Sequence, residues 1–128
     1  MKAEESRDGV LWIERTVRSG TRIEHPGNVV VIGDVNPGAE IVAEGNILVW
    51  GRLRGSVHAG DGSQTGASQN PEAFICALEM NPTRLQIASE IGNSPKKKIS
   101  NKPQKMSLKN GKFNIEAWQE KWKSKNNR

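Results

Sequence analysis

The sequence has no tyrosine, one cysteine and no long run of apolar residues. A membrane-spanning helix needs about 20 consecutive apolar residues, so the sequence predicts none. The N-terminal segment MKAEESRDG lacks the apolar stretch of a secretory signal, which predicts that the chain is not exported by that route. Because Cys76 stands alone, an internal disulfide and a cysteine cage for zinc are both excluded. A reducing, cytoplasmic setting is therefore expected.

The formal net charge of +5 is unevenly distributed along the chain. Residues 1–95 carry 8 Lys and Arg against 12 Asp and Glu, whereas residues 96–128 carry 11 against 2. The main part of the chain is therefore mildly acidic, and the basic excess lies in the tail. A nucleic-acid-binding surface on the folded domain is disfavoured, and we expect no nucleic-acid partner.

The strongest signal in the sequence is a repeat. The segment Gly27–Gly33, GNVVVIG, recurs as Gly45–Gly51, GNILVWG, at a spacing of eighteen. A spacing of six does not keep residues on one side of a helix, so apolar residues at every sixth position predict short strands, each followed by a corner. The residues with this spacing are Leu11, Val17, Ile23, Val29, Val35, Ile41, Ile47, Leu53 and Ala59.

Three such units would close one coil, which then has the length of the longer repeat. We therefore predict an all-β fold, a short right-handed three-sided β-helix of about four coils over residues 9–92. The stretch Asp61–Pro71 is rich in Gly, Ser, Gln and Asn and is expected to be a loop. Asn36-Pro37 recurs as Asn81-Pro82, a separation that corresponds to two coils and a short insertion.

One side of the predicted β-helix is unusually apolar. Alternate side chains of a strand point to opposite sides, and seven of the eight outward residues expected on this side are apolar, Glu14 being the exception. An exposed surface of this kind indicates an interface, and a two-fold homodimer would cover it. The tail or the Asp61–Pro71 loop could cover it instead. We call the following residues the apolar face: Trp12, Val30, Ile32, Leu48, Trp50 and Ile75. Ala77 completes the eight.

A second side is polar. Arg18, Asn36, Arg54 and Asn81 are expected to stack in one line, which we call the arginine column. Ser19, Pro37, Gly55 and Pro82 would lie beside this column, and Thr16, Asp34 and Arg52 would stack at the preceding corner, where Asp34 and Arg52 could pair. The pattern alone is compatible with a solvated surface or with a docking site.

Several segments of the sequence resemble the C-terminal domain of the MinC family of septum-site-determining cell-division inhibitors. They are Arg18–Ile23 (RSGTRI), His25–Asn28 (HPGN), Gly33–Glu40 (GDVNPGAE), Ala43–Ile47 (AEGNI) and Trp50–Gly55 (WGRLRG). These blocks occur in family order over about residues 11–92. The resemblance implies a β-helix that dimerises through one side and docks on MinD, a membrane-bound ATPase.

The resemblance also implies which residues contact MinD. The family has an RSGQ block at this contact, and Thr21 stands here where the family has Gln. Arg54 lies in the family's RG block. The resemblance thus implies Arg18, Ser19, Gly20, Thr21, Arg54 and Gly55 as MinD-binding residues, and we add Asp34, Asn36 and Arg52 from the arginine column and the adjoining corner.

MinC proteins usually carry a preceding α/β domain that acts on FtsZ, the tubulin-like division polymer. Only the short segment 1–8 precedes the first coil here, so we expect either a short version without that domain or a sequence whose start is incomplete. The resemblance implies a regulator that MinD recruits to the inner face of the cell membrane, where it opposes FtsZ-ring assembly at wrong sites.

A six-residue period is also typical of left-handed solenoid acyltransferases and zinc carbonic anhydrases. Their zinc site needs three histidines, and this sequence has only His25 and His58. His58 is the one candidate for acyl-transfer catalysis, and Cys76 is expected in the core. We expect no enzymatic activity, cofactor or metal, although a solenoid enzyme and a non-catalytic scaffold remain the alternatives.

Residues 1–8 are expected to form an N-terminal extension and residues 93–128 a basic flexible tail. Ile115, Trp118 and Trp122 have helical spacing, which predicts an amphipathic helix over 114–125. Such a segment suits an anionic membrane surface or an acidic partner. It could also cap the open end of the coils or remain disordered.

Overall fold

The computed structural model describes residues 4–7, 9–63, 65–66, 68–93 and 102–117. These residues form twelve strands and no helix, which confirms the all-β prediction. Since there is no helix in this part of the chain, none could cross a membrane. The strands are β1 (Glu4–Arg7), β2 (Val10–Ile13), β3 (Arg22–His25), β4 (Asn28–Ile32), β5 (Glu40–Ala43), β6 (Ile47–Leu53), β7 (Ser56–Ala59), β8 (Ile75–Met80), β9 (Arg84–Ile87), β10 (Glu90–Asn93), β11 (Gln104–Lys109) and β12 (Lys112–Ala117).

The strands form two sheets. The seven-stranded sheet has the order β1-β2-β4-β6-β8-β11-β12, and the five-stranded sheet has the order β10-β9-β7-β5-β3. Strands β2, β4, β6 and β8 are parallel to one another, as are β3, β5, β7 and β9. Antiparallel strands are added at the ends: β1 pairs with β2, β10 with β9, and the β11–β12 hairpin with β8.

The repeat of the sequence appears as the register between successive coils. Val29 pairs with Ile47, and isolated parallel bridges join Val17 to Val35 and Val35 to Leu53. The described residues therefore form two sheets and one line of bridges, and a third sheet that would close the coils is not among them. The predicted three-sided winding is confirmed only as an all-β fold with parallel ladders.

The inward side chains of the ladders form the hydrophobic core. In β4, Val29 and Val31 are buried, whereas Val30 and Ile32 on the opposite side are only half-buried. This alternation is the period-two pattern of a strand with one side in the core. The largest fully buried side chains are Ile13, Ile41, Ile47, Leu53, Ile75, Met80, Ile87, Val17, Val29, Val31, Val35 and Val49.

Side-chain amides and glycines hold adjacent coils at a fixed spacing. The backbone N–H of Asn46 donates to Oδ1 of Asn28 at 2.7 Å, and the backbone N–H of Phe74 donates to Oδ1 of Asn46 at 2.9 Å. A Cβ atom on Gly27 would lie 2.0 Å from the backbone oxygen of Gly9. Only glycine therefore allows the backbones to approach this closely at the corner.

The predicted loop between β7 and β8 is tied back to the coils. The backbone N–H and Oγ1 of Thr65 both donate to the carboxylate of Glu44, each at 2.7 Å. At the other end of the loop, Nε2 of Gln69 donates to the backbone oxygen of Ala88 at 3.4 Å. These contacts attach the insertion to both neighbouring coils.

The predicted C-terminal helix over 114–125 is wrong for its described part. Lys112–Ala117 is strand β12, and residues 118–125 lie outside the described residues. The prediction of a flexible tail is likewise wrong for β11 and β12. Asn110 and Gly111 have positive φ angles of 55° and 75°, which favours the tight turn of a β-hairpin.

The hairpin packs over the end of the core. Met106 is buried there, and Leu108 and Phe113 pack against the core cluster. The ring of Phe113 lies so close to Gly92 of β10 that a Cβ atom there would be 2.9 Å from a ring carbon. At the opposite end, part of the predicted N-terminal extension is strand β1.

Candidate functional site

Five of the six residues of the apolar face lie together on the outer side of the seven-stranded sheet. Trp12 pairs with Val30, Val30 with Leu48, and Ile32 with Trp50. Trp12 is 42% exposed and Trp50 is 53% exposed, which is unusual for side chains of this size. The indole N–H of Trp12 donates to Glu14, which lies at the edge of the same surface.

The assignment of Ile75 to the apolar face is wrong. Ile75 is 0% exposed and pairs with Ile47 in the core. A β-bulge interrupts the register between β6 and β8, and beyond the bulge Leu53 pairs with Met80, so the separation between partners is one position shorter there. The separation derived from the Asn-Pro repeats holds only after the bulge. The prediction before the bulge was therefore one position out of register.

The bulge and the register shift explain the other differences on β8. Ala77, also expected to face outward, is buried in the core opposite Val49. Cys76 pairs with Leu48 and so belongs to the outer side, although the sequence predicted it in the core. It is nevertheless buried, and burial raises the pKa of its thiol to about 11. A protonated, buried thiol is a poor nucleophile.

The hairpin continues the seven-stranded sheet beside β8. Lys105 of β11 pairs with Cys76, and its ammonium lies 4.7 Å from the centre of the Phe74 ring. This geometry is a cation–π contact. The apolar face is thus bordered by Glu14, which follows β2, at one end and by Lys105 on β11 at the other.

The register of the strands brings the residues of the arginine column together, as predicted. Arg18, Asn36 and Arg54 each follow a residue of the Val17–Val35–Leu53 line of bridges. The backbone N–H of Asn36 donates to the oxygen of Val17 at 2.9 Å, and that of Arg54 to the oxygen of Val35 at 2.8 Å. Asn81 continues the line, since its N–H donates to the oxygen of Leu53 at 2.9 Å.

The two arginines differ in their surroundings. Arg18 is exposed, whereas Arg54 is half-buried. Nε of Arg54 is buried and has no hydrogen-bond partner in the part of the chain that the structure describes. A buried donor without a partner is costly, so an acceptor brought by another molecule would be favoured there.

Backbone lines the surface beside the column. The N–H of Gly20 donates to the oxygen of Gly38 at 3.0 Å, and the N–H of Thr21 donates to the oxygen of Arg18 at 3.0 Å, closing a turn around Ser19. A Cβ atom on Gly38 would lie 2.3 Å from Oγ of Ser19. The turn is therefore packed directly on the next coil.

Gly55 continues this packed surface one coil further. A Cβ atom there would lie 2.6 Å from the backbone oxygen of Asn36 and 2.7 Å from that of Ala39. Gly55 itself is buried, so its missing side chain permits close packing within this chain.

Asp34 and Arg52 meet at the corner between the apolar face and the arginine column. The carboxylate of Asp34 accepts a hydrogen bond from the backbone N–H of Arg52 at 2.9 Å. The guanidinium of Arg52 instead forms an ion pair with Glu79, with 3.9 Å between Nε and Oε1. Glu79 was not predicted here, although the separation of the Asn-Pro repeats holds at this position and would have placed it beside Arg52.

The two histidines occupy separate structural positions. Nε2 of His25 is 3.2 Å from the backbone oxygen of Gly9, and Nε2 of His58 is 3.1 Å from that of Ala88. Within the described residues, no group of three or more His, Cys, Asp or Glu side chains is placed to hold a metal ion.

Comparison with known proteins gives a consistent result. The family model described as septum formation inhibitor MinC, C-terminal domain, matches residues 11–118. This match extends past residue 92, so β11 and β12 fall within the family domain. A probable septum site-determining protein MinC from Nostoc sp. is 49% identical over 87 residues, which is 68% of this chain and 22% of the relative. One from Clostridium acetobutylicum is 53% identical over 84 residues, 66% of this chain and 37% of the relative.

A solved structure is similar in fold. It is the MinC:MinD cell division protein complex of Aquifex aeolicus, with a TM-score of 0.75 and 33% identity, covering 91% of this chain and 98% of that chain. The matched part of this chain corresponds to only 22–37% of the length of the curated relatives above. From the family match over most of its length, this chain belongs to the MinC family and contains that family's C-terminal domain.

Proposed function

We propose that the chain is a non-catalytic regulator of division-site placement that docks on a MinD-type ATPase through the arginine column. The observation that supports this proposal most directly is the alignment of Arg18 and Arg54 on one line of bridges, in a chain whose solved relative is a MinC:MinD complex. Two coils separate these arginines, which corresponds to about 10 Å at the usual strand spacing.

The chemistry of the column suits a protein surface with carboxylates or backbone oxygens. Each guanidinium offers several N–H donors in a planar arrangement. Nε of Arg54 already lies buried without a partner in the described residues, so a bound oxygen would satisfy it. Gly20 is exposed and carries no side chain that would hold an approaching backbone away. We include Ser19, Thr21, Asp34, Asn36 and Arg52 in the proposed contact.

The test is binding to MinD with substituted chains. Arg18→Ala and Arg54→Ala should each weaken ATP-dependent capture by MinD at least tenfold, because each removes a charged hydrogen-bond donor. Arg84→Ala is the matched control, since Arg84 is exposed on the five-stranded sheet. Sedimentation and circular dichroism would check assembly and folding. Normal capture by both column variants would overturn the proposed docking surface.

We also propose that the chain forms a homodimer through the apolar face. Two exposed tryptophans beside Val30, Ile32 and Leu48 make a patch that a second copy would bury. The patch lies away from the arginine column, so each protomer of a dimer could dock one MinD.

Recruitment follows from this docking. A MinD-type ATPase at the inner face of the cell membrane would place the chain there as a peripheral protein, where it would oppose assembly of FtsZ. We propose that the basic segment 96–128 strengthens membrane recruitment. Co-sedimentation with anionic liposomes should fall when the chain is truncated after Asn93, and unchanged co-sedimentation would contradict a role for this segment.

We infer that the coils wind as a right-handed, three-sided β-helix. Support comes from three parallel ladders that each contain partners one repeat apart, represented by the pairs Val10–Asn28, Ile23–Ile41 and Val17–Val35. The right-handed sense is the usual one for parallel crossovers. A crystal structure with a left-handed winding, or with only two sides, would contradict this inference.

A further inference from the structure

Strand β12 ends the seven-stranded sheet and leaves one of its own edges open. Among the described strands, β12 has β11 as its one neighbour. The two residues between Lys109 and Lys112 form the hairpin loop. The pair that flanks such a loop exchanges backbone hydrogen bonds, as does every second pair beyond it. The backbone N–H and C=O groups of Phe113 and Ile115 therefore point away from β11, towards the open edge.

One side of β12 is apolar and only partly covered. Phe113 packs against the core cluster, and Ile115 lies on the same side, opposite Met106. Met106 is buried, whereas Ile115 is 39% exposed. The apolar side of the hairpin thus ends in a large exposed side chain at the edge of the sheet, where an added strand would cover it.

The other side of β12 carries charges of both signs. Lys112 is exposed and lies opposite Lys109, and like charges directly opposite each other are unfavourable. Glu116 lies opposite Lys105 and accepts a hydrogen bond from Nδ2 of Asn114 at 3.1 Å. The strand is therefore basic near the turn and acidic towards Ala117, with an amide between the two charges.

This pattern makes β12 complementary to a second copy of itself. In an antiparallel pair centred on Asn114, Lys112 lies opposite the partner's Glu116, and Phe113 lies opposite the partner's Ile115. Asn114 then lies opposite the partner's Asn114. Only registers that differ by two residues keep the open backbone groups facing each other. A shift of two residues in either direction places Asn114 opposite a charged residue and breaks both charge pairs.

We propose that β12 is a self-recognition edge at which two copies of this chain pair antiparallel about Asn114. The backbone groups of Phe113 and Ile115 of each copy exchange hydrogen bonds across the edge, as in other cases of strand addition. The pairing covers Ile115 and brings the partner's Glu116 to Lys112. It forms one continuous sheet with both cores on the same side. It is distinct from the proposed contact through the apolar face and does not depend on it.

The other open edges of the described sheets lack this combination. Strand β1 has the sequence EESR and no apolar residue. On β3, Arg22 forms ion pairs with Glu24 and Glu40, and an added strand would have to desolvate them. Strand β10 contains Gly92, and a glycine within a strand weakens its pairing. A single strand edge is much smaller than a standard interface, so the β12 contact is weak and depends on concentration.

The proposed pairing predicts one short distance between equivalent residues. Asn114 meets its own copy in a pair that is not hydrogen-bonded, with Cα atoms about 4.5 Å apart, which suits a disulfide. Ser107 lies opposite Asn114 on β11 and is half-buried like it, but three strand spacings, about 14 Å, separate it from its copy. Lys112 lies four residues along the strand from its own copy, which is also about 14 Å.

Disulfide formation tests these distances in the full chain. Asn114→Cys, Ser107→Cys and Lys112→Cys are each combined with Cys76→Ala, so that the introduced thiol is the only one. Trp50→Glu is added to disrupt the proposed contact through the apolar face. Non-reducing gels follow the disulfide-linked dimer in a glutathione buffer over a range of chain concentrations, and circular dichroism checks folding. We expect Asn114→Cys to form the disulfide at least tenfold faster than either control.

A proline variant tests the backbone contact. The N–H of Ile115 points to the open edge, so Ile115→Pro removes a hydrogen bond of the proposed pair and none to β11. Added to Asn114→Cys, it should slow disulfide formation at least tenfold without changing the circular dichroism spectrum.

Three results would overturn the proposal. Equal rates for Asn114→Cys and Ser107→Cys would exclude pairing at the β12 edge. Faster reaction of Lys112→Cys than of Asn114→Cys would exclude the register. A rate that Ile115→Pro leaves unchanged in a folded chain would exclude the backbone hydrogen bonds.

Discussion

In residues 9–53 the pairs between β2 and β4, between β3 and β5 and between β4 and β6 all join residues one full repeat apart. In residues 54–117 the neighbours are set differently: β7 pairs with β5 at a shorter separation, β8 changes register at a bulge in β6, and turns reverse the chain into β10 and β12. In the first region, spacing along the sequence determines position. In the second, turn geometry and strand pairing do so, and a periodic pattern carries no information about them. The predictions below test this difference.

The largest loss of stability is expected where the backbones of successive repeats are in direct contact. Gly27→Ala places a Cβ atom 2.0 Å from the backbone oxygen of Gly9, which a side-chain movement cannot relieve. We expect the free energy of unfolding to fall by about 3 kcal/mol. Gly111→Ala is the control in the hairpin region, because its Cβ atom meets nothing within 4 Å and only its φ of 75° is unfavourable. Gly111→Ala should lower the free energy of unfolding, measured in urea, by about 1 kcal/mol. Equal costs would mean that coil stacking is not the tighter constraint.

A second effect concerns the apolar face of the coils. Trp50→Glu should raise the dissociation constant of the dimer at least about 100-fold, because a charge would be buried against apolar partners. Sedimentation equilibrium measures this change. Ile91→Glu is the matched control: Ile91 is 54% exposed, much like Trp50, but lies on the five-stranded sheet. Similar weakening by both substitutions would show that dimerisation does not use the apolar face.

A third effect concerns the pH dependence of stability that arises from the buried thiol of Cys76. Burial raises the pKa of Cys76 from 9.0 to about 11 in the folded chain. Between these values the unfolded thiol loses its proton while the folded thiol keeps it, so the free energy of unfolding falls as the pH rises. Below about pH 9 this contribution is fully present, and by pH 11 we expect a loss of about 2 kcal/mol. Comparison with Cys76→Ala isolates this loss from that of other groups. The same pH dependence in both chains would contradict it.

The smallest effect concerns the contact that attaches the hairpin. Lys105→Ala removes the ammonium over the Phe74 ring and should lower the free energy of unfolding by about 0.5 kcal/mol. The measurement is made in the Trp50→Glu background, so that loss of a dimer contact does not contribute. Lys109→Ala is the control, because Lys109 is exposed near the turn. A cost for Lys109→Ala equal to that of Lys105→Ala would argue against the cation–π contact.

The register of strands β2 to β6 could be predicted from the sequence because the repeat encodes it. The six-residue spacing identified Val17, Val35 and Leu53 as one line, and the line of bridges joins these residues. It also placed Trp12, Val30 and Leu48 side by side. A residue whose equivalent occurs in the next repeat therefore has that equivalent as its neighbour on the adjacent strand.

The register of β8 could not be predicted in the same way. The Asn-Pro repeat gave the register after the bulge, and nothing in the spacing indicates a bulge between Val49 and Arg52. One extra residue there moves Ile75 from the outer side to the core. Cys76 changes sides with it, and its burial depends on β11, which follows β8 only after two further strands.

The hairpin was missed for another reason. The Asn110-Gly111 pair is a strong hairpin signal between two strand-forming segments, and it was present in the sequence. The helical spacing of Ile115 with two tryptophans beyond the described residues predicts a helix instead. Pairing of β12 with β11 determines the structure of Lys112–Ala117, so tertiary contact overrides that local periodicity.

The free edge of β3 limits how far copies of this chain can add to one another. Among the described strands, β3 has β5 as its one neighbour, so one row of its backbone groups is unpaired. Arg22 on this edge pairs with Glu24 and Glu40, and an added strand would have to desolvate these charges. Addition of further copies of the chain at this edge, which would build a fibre, is therefore disfavoured.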